Sequence, residues 1–128
     1  MFRRRQKGQA IVEFALIAPL LFLMFFATIN FGLFFHDYLF VIQSVRDGAR
    51  YAGIQGSGVG STAVKNRVIS AADNYNLYTM TMDANDLTVA WTADSAQVRW
   101  TKNVPINLVF IQTLTVPLNF QVEMPRED

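Results

Sequence analysis

The hydrophobic pattern changes its period along the chain, and each change predicts an element. From Phe14 to Phe35 the sequence reads FALIAPLLFLMFFATINFGLFF, without a charged residue in 22 positions. A helix needs about 20 such residues, at 1.5 Å each, to cross the hydrocarbon of a bilayer. Leu, Ile, Phe and Val each favour insertion by roughly 0.3–0.6 kcal/mol at the centre of a span, and the run is built largely from them. A cleavable secretory signal is the competing reading, but its apolar region covers only about 7–15 residues and ends in a small-x-small site. After His36 and Asp37 the apolar residues recur at helical spacing as Tyr38, Val41, Ile42, Val45, Ala49 and Ala52. Asp37, Gln43, Ser44, Arg46, Asp47 and Arg50 fall between them as a polar back. One continuous helix from about Ala10 to Gly53 is expected, about 65 Å long, with its first half in lipid and its second half packed on a domain. Pro19 lies inside it, has no N–H to offer the carbonyl of Ala15, and predicts a kink or a loosened turn.

The segment Gly53 to Ser61, GIQGSGVGS, is expected to stop this helix. A Walker-type phosphate loop requires Lys-Ser/Thr after its last glycine, and a dinucleotide loop requires a preceding strand. Neither is present, so the segment reads as a linker. Ser61 or Thr62 is expected to cap a second helix reaching about Tyr75, with Ala63, Val64, Val68, Ala71, Ala72 and Tyr75 available for burial. A turn-rich stretch runs from Asn74 to Asp86, and after it the period falls to two. Leu87, Val89 and Trp91 alternate with polar or small residues, as do Ala96, Val98 and Trp100 after a turn at Asp94-Ser95. The pattern predicts a hairpin with both tryptophans on one face, where core packing is a better reading than a ligand-stacking platform. A third strand follows through Leu114, Val116, Leu118, Phe120 and Val122, and Pro117 predicts that it is an edge or bulged. Pro105 to Thr113 reads as an apolar connection.

The fold class is therefore α+β: a long transmembrane helix continuing into a small domain with a second helix and a three-stranded antiparallel sheet. The chain divides into a basic leader (residues 1–8), a transmembrane and extended amphipathic helix (9–53) and a small extracytoplasmic domain (54–128). Charge sharpens this picture. The net charge is +1, but Arg3, Arg4, Arg5 and Lys7 all precede the apolar run, and the remainder carries seven basic against ten acidic residues. A globally basic, nucleic-acid-binding surface is excluded. The local positive charge sets topology instead, keeping the N-terminus cytoplasmic. No cysteine is present, which excludes disulfides, thiolate metal sites and a cysteine nucleophile. The domain must fold on an apolar core, for which Trp91, Trp100, Tyr75, Tyr78, Phe110 and Phe120 are available, helped by a face of the long helix.

No enzyme is legible. His36 and Asp37 could form a base and its orienter, but no nucleophile has a motif near them, and interfacial polar residues ending a span are the commoner case. No His, Asp and Glu set has metal-ligand spacing, and no cofactor is expected. Arg46 and Arg50 share a helix face that reads as solvated, while Gly48 and Ala49 would let another backbone come close.

The residue that stands out is Glu13, one place before the uncharged run. A carboxylate in a membrane helix is a functional candidate and needs a partner, although it would also complement the helix N-terminus or sit at headgroup level beside the arginines. The segment around it, a basic leader ending in Gly8 and then Gln9-Ala10-Ile11-Val12-Glu13-Phe14, resembles the processing site of type IV pilins and pseudopilins. Over Gly8 to Gly53 the sequence resembles more closely the TadE-like family of pseudopilins from tight-adherence pilus systems. GQAIVEFALIAPLL, the uninterrupted run after it and the segment Arg46-Asp47-Gly48-Ala49-Arg50-Tyr51-Ala52 carry the likeness.

The resemblance implies a pilin-like fold and a minor subunit of a surface pilus or a related secretion assembly, used in adhesion or secretion. It implies a prepilin peptidase that cuts between Gly8 and Gln9, and Glu13 as the recognition and assembly carboxylate. Other pilin or pseudopilin subunits and an inner-membrane assembly platform are the implied partners, and a single-pass location in a bacterial inner membrane the implied address. Cutting would create an α-amino group, cationic near neutral pH, that a neighbouring subunit's Glu13 could neutralise. Pro19, Gly48 and Ala49 are the positions expected to shape helix packing. The alternative is an uncleaved, membrane-anchored interaction protein of a larger envelope complex.

Overall fold

A computed structural model describes residues 3–107 and 113–127, with the side chains of 8–106 and 113–127. The apolar run and the amphipathic stripe form one helix, α1 (Arg3–Gln55), about 80 Å long at 1.5 Å per residue. It starts earlier than Ala10. Arginine, glutamine and lysine are good helix formers, and the roughly 1 kcal/mol cost of Gly8 does not interrupt them. The helix is also unbroken through Pro19. Within the apolar stretch, Thr28 Oγ1 donates to the Met24 carbonyl at 2.8 Å and Asn30 Nδ2 to the Phe26 carbonyl at 3.0 Å. Their polar groups are thus satisfied without water, as a lipid environment demands.

Gly53 does not stop the helix, which runs on to Gln55. The stop is Gly56, whose φ of 68° lies in the left-handed region that a residue with a Cβ resists. Gly53 has another use. A Cβ there would lie 2.8 Å from the carbonyl oxygen of Pro125, so its bare backbone lets the C-terminal end of the sheet close on α1. The second helix, α2 (Ser61–Asp73), starts from Gly60 with no side-chain cap. The expected capping by Ser61 or Thr62 is therefore corrected, because the Gly60 carbonyl already accepts the amides of Ala63 and Val64. Val64, Val68 and Ala72 are buried, whereas Ala63 is exposed and Tyr75 lies beyond the helix.

Strands β1 (Leu87–Trp91), β2 (Ser95–Asn107) and β3 (Thr113–Pro125) form an antiparallel sheet in the order β1-β2-β3. Leu87 pairs with Trp100, Val89 with Val98 and Trp91 with Ala96. Trp100 pairs onward with Phe120, and Val98 with Val122. Directly opposed residues share a face, so both tryptophans lie on the side that packs against the helices, as the period of two predicts. Pro117 sits on the edge strand β3, also as predicted.

Strand β2 is longer than its alternation suggested. Pro105, Ile106 and Asn107 pair with Thr115, Leu114 and Thr113, so the start of the expected connection is strand. β1 pairs no further along β2 than Trp100, and Pro105 falls in the stretch beyond, where β2 has a free side that tolerates proline. Phe110 and the rest of 108–112 lie outside the described residues.

The core joins one stripe of α1 (Val41, Val45, Ala49, Ala52) to the inner faces of α2 and the sheet around Trp100. Trp91 and Phe120 are half-buried at its margin, while Tyr75 and Tyr78, expected in the core, are exposed. Gly48 is where α2 comes closest to α1: a Cβ there would meet Val68 Cγ2 at 2.1 Å and the Val64 carbonyl at 3.7 Å. Val68 is β-branched, with little rotamer freedom to retreat. Gly48→Ala should therefore cost about 1–3 kcal/mol by overpacking. Denaturant unfolding of the full chain in detergent, followed by tryptophan fluorescence, reads this as a lower midpoint; an unchanged midpoint would mean that α2 gives way freely.

Candidate processing and assembly site

Gly8, Gln9 and Glu13 lie together on the N-terminal part of α1 because the helix runs through them without a break. A Cβ at Gly8 would meet nothing within 4 Å. Gln9 Nε2 donates to Glu13 Oε1 at 3.1 Å across one helical turn. Both residues are exposed, as are Ile11, Val12 and Phe14 around them. The carboxylate thus stands among apolar side chains, hydrogen-bonded among the described residues to an amide that is itself on the surface. It is also the first Asp or Glu in the chain, the next being Asp37. The side chains of Arg3, Arg4, Arg5 and Lys7 lie outside the described residues.

Pro19 is six residues beyond Glu13 and exposed, lining a shallow apolar notch with Phe22, Leu23 and Phe26. Gly48 and Ala49 are far from this group, about 50 Å further along the helix. Both are buried within the domain, against α2 and the core. The close approach that Gly48 permits is therefore made by α2 of the same chain.

Two charged residues hold the domain together in ways the sequence pattern did not suggest. Asp37 is not on a polar back: it is fully buried, as is Ser44 on the same stripe. Its Oδ2 accepts the backbone amides of Tyr78 at 2.9 Å and Met80 at 3.0 Å, and the Thr79 hydroxyl at 2.7 Å. The Thr79 amide also donates to it, and His36 Nδ1 lies 3.1 Å from Oδ1. The carboxylate thereby fastens the loop after α2 to α1 where the apolar run ends. Burial works against its ionisation, but the Thr79 amide and hydroxyl, the Tyr78 amide and His36 together outweigh it and hold its pKa below the ordinary 3.8. His36, read as a possible base, packs at the domain edge against Phe40 and Tyr78 at centroid distances of 4.5 and 5.3 Å.

Lys102 stands on the inner face of β2 and reaches Asp86 at 2.7 Å, Asp83 at 3.2 Å and the Thr81 carbonyl at 2.8 Å. Burial disfavours its charge, yet the two carboxylates prevail and lift its pKa above 10.5. Asp47, between the solvated Arg46 and Arg50, pairs with Arg67 of α2 at 3.0 Å. That pair borders a polar groove of about 460 Å³ between the helices. These are structural roles. Among the described residues no group of three or more His, Asp or Glu side chains is placed to hold a metal ion.

The helix is long and apolar enough to cross a membrane, and the most apolar window within it is free of burial by the rest of the chain. No curated protein and no solved structure matches the chain. The family model described as TadE-like protein matches residues 8–50, from Gly8 through Glu13 and Gly48 to Arg50, so over this third of the chain the helix is similar to that family.

Proposed function

We propose that the chain is a minor pilin-like subunit of a tight-adherence pilus or related secretion assembly, processed between Gly8 and Gln9 and assembled through Glu13. The observation that carries this reading is Glu13: a carboxylate on the exposed surface of an apolar helix, five residues after Gly8, where the family match begins. An unpaired charge in a membrane helix is costly, so a subunit that offers it a cation gains both affinity and register. Removal of residues 1–8 supplies such a cation as the amino group of Gln9. The basic leader holds the N-terminus in the cytoplasm, where the prepilin peptidase would act. The domain is then outside, and the exposed face of α1, including the notch at Pro19, packs against neighbouring subunits and the assembly platform.

Co-expression with a prepilin peptidase should yield a protein that begins at Gln9, lighter by the mass of the eight-residue leader. Gly8→Ala should block this cut without harming the helix, since nothing lies near a Cβ at that position. Intact mass and N-terminal sequencing read both outcomes. An unchanged N-terminus with active peptidase would favour the second reading, an uncleaved membrane-anchored interaction protein. The unbroken helix across Gly8 and Gln9 speaks for that reading, because a peptide bond held in a helical hydrogen-bond ladder must unwind before it can be cut.

A further inference from the structure

The β2–β3 hairpin runs along α1 with its two ends at very different heights. At one end, Pro125 and Met124 close on Gly53, and Ser95 pairs with Pro125. At the other, Pro105 and Ile106 of β2 border one cleft with Asn30 and Phe34 of α1. Asn30 and Phe34 belong to the uncharged run. Counted from Glu13 at 1.5 Å per residue, they lie about 26 and 32 Å along the helix, against a hydrocarbon thickness of about 30 Å. The hairpin end is therefore level with the outer boundary of the bilayer that α1 crosses.

The chemistry of that end agrees with its height. The sequence has no Asp, Glu, Lys or Arg between Lys102 and Glu123. The other charges of the hairpin are Arg99 and Lys102, midway along β2, and Asp94, Glu123, Arg126 and Glu127 at the opposite end. Leu114, the cross-strand partner of the covered Ile106, is 52% exposed, and on α1 Phe31 and Phe35 are exposed at the same level. An exposed leucine on the strand face whose other apolar residues are half-buried, continuous with a lipid-facing helix, is in an unfavourable place in water and a favourable one among acyl chains.

We propose that the membrane-proximal end of the β2–β3 hairpin, marked by Leu114, rests in the outer interface of the bilayer, giving the domain a second lipid contact besides α1. The contact fixes the orientation of the domain on the membrane before the subunit leaves it. This rests on α1 spanning the bilayer, and the two claims can be tested apart.

The chain has no cysteine, so single spin labels can be placed without background. Full-length Leu114→Cys, Phe25→Cys and Gln121→Cys proteins are reconstituted in phosphatidylcholine–phosphatidylglycerol vesicles. Collision of each nitroxide with oxygen, which concentrates in lipid, is compared with collision with a water-soluble nickel chelate. Phe25 reports the span and Gln121, exposed on the outer face of β3, reports water. The Leu114 label should show an oxygen-to-nickel ratio several-fold above that at Gln121 and approaching that at Phe25. A Leu114 ratio equal to that at Gln121, with Phe25 still in lipid, would overturn the hairpin contact and leave the spanning helix intact. A label at Leu114 shielded from both agents would also overturn it, in favour of cover by a second protein. Water-like values at Phe25 would remove the spanning reading itself.

Discussion

Asp37→Ala should lower the stability of the domain by about 3–5 kcal/mol, on the scale of losing a buried group that several polar partners share. The substitution removes the acceptor for three consecutive backbone amides, those of Tyr78, Thr79 and Met80, and for the Thr79 hydroxyl. Each buried donor left without a partner costs roughly 1–3 kcal/mol, although water admitted to the opened loop recovers part of this. Asp37→Asn should lose less, since its carbonyl oxygen still accepts some of the same donors. The full chain in detergent, unfolded with denaturant and followed by tryptophan fluorescence, measures both.

The same carboxylate predicts an acid dependence. Its folded pKa lies below 3.8, so its contribution is fully present above that value and is lost as pH falls through the lower folded value. The stability that Asp37 supplies should therefore be flat from neutral pH down to about 4 and decline below it, and the Asn variant should lack that decline. A wild-type midpoint matched by Asp37→Ala would contradict the anchoring role.

Asp37 also shows where sequence reading ran short. Position 37 lies at the exit of an uncharged run, where a polar residue needs no further explanation. Three of its partners are backbone amides more than 40 residues away, and backbone donors carry no residue signature. Extended upstream, the stripe of Val41, Val45, Ala49 and Ala52 places Asp37 on the same face as Val41, one turn away; that face was a usable clue. The glycines divide similarly. Gly53 and Gly56 look alike in a glycine-rich segment, yet one permits a close approach from Pro125 and the other takes a positive φ. Only the tertiary contact separates them.

Where periodicity alone decides, the elements were legible. The 22-residue apolar run, the alternation that sets Trp91 and Trp100 on one face and the edge placement of Pro117 all follow from side-chain spacing. The extension of β2 through Pro105 was not, because proline argues against a strand until one side of that strand is known to be free. Gly8, Gln9 and Glu13 stand out by motif and spacing, and the structure places all three on one unbroken helix; the roles proposed for them rest on local sequence. Gly48 was visible as a point of close approach, but which backbone would approach it was not.

Glu13→Ala should strongly reduce incorporation into any larger pilus assembly while leaving the domain folded. Glu13 is exposed, accepts a hydrogen bond from its helix neighbour Gln9 and lies outside the core, so its removal takes nothing from the packing around Trp100. In the proposed assembly it faces the amino group of a neighbouring Gln9, and a charge left alone in a membrane helix costs about 2.5–3.5 kcal/mol at the bilayer centre and less towards the interface. A loss of roughly ten-fold to a hundred-fold in incorporation follows from that range. Glu13→Gln, which preserves shape and hydrogen bonding but not charge, should fail almost as badly.

The most direct measurement compares wild-type, Glu13→Ala and Glu13→Gln chains in cells making the whole pilus system. The amount of each in sheared surface pili is set against the amount in the membrane. The proposed account requires equal membrane levels with both variants depleted from the pili; equal amounts of all three in the pili would contradict it.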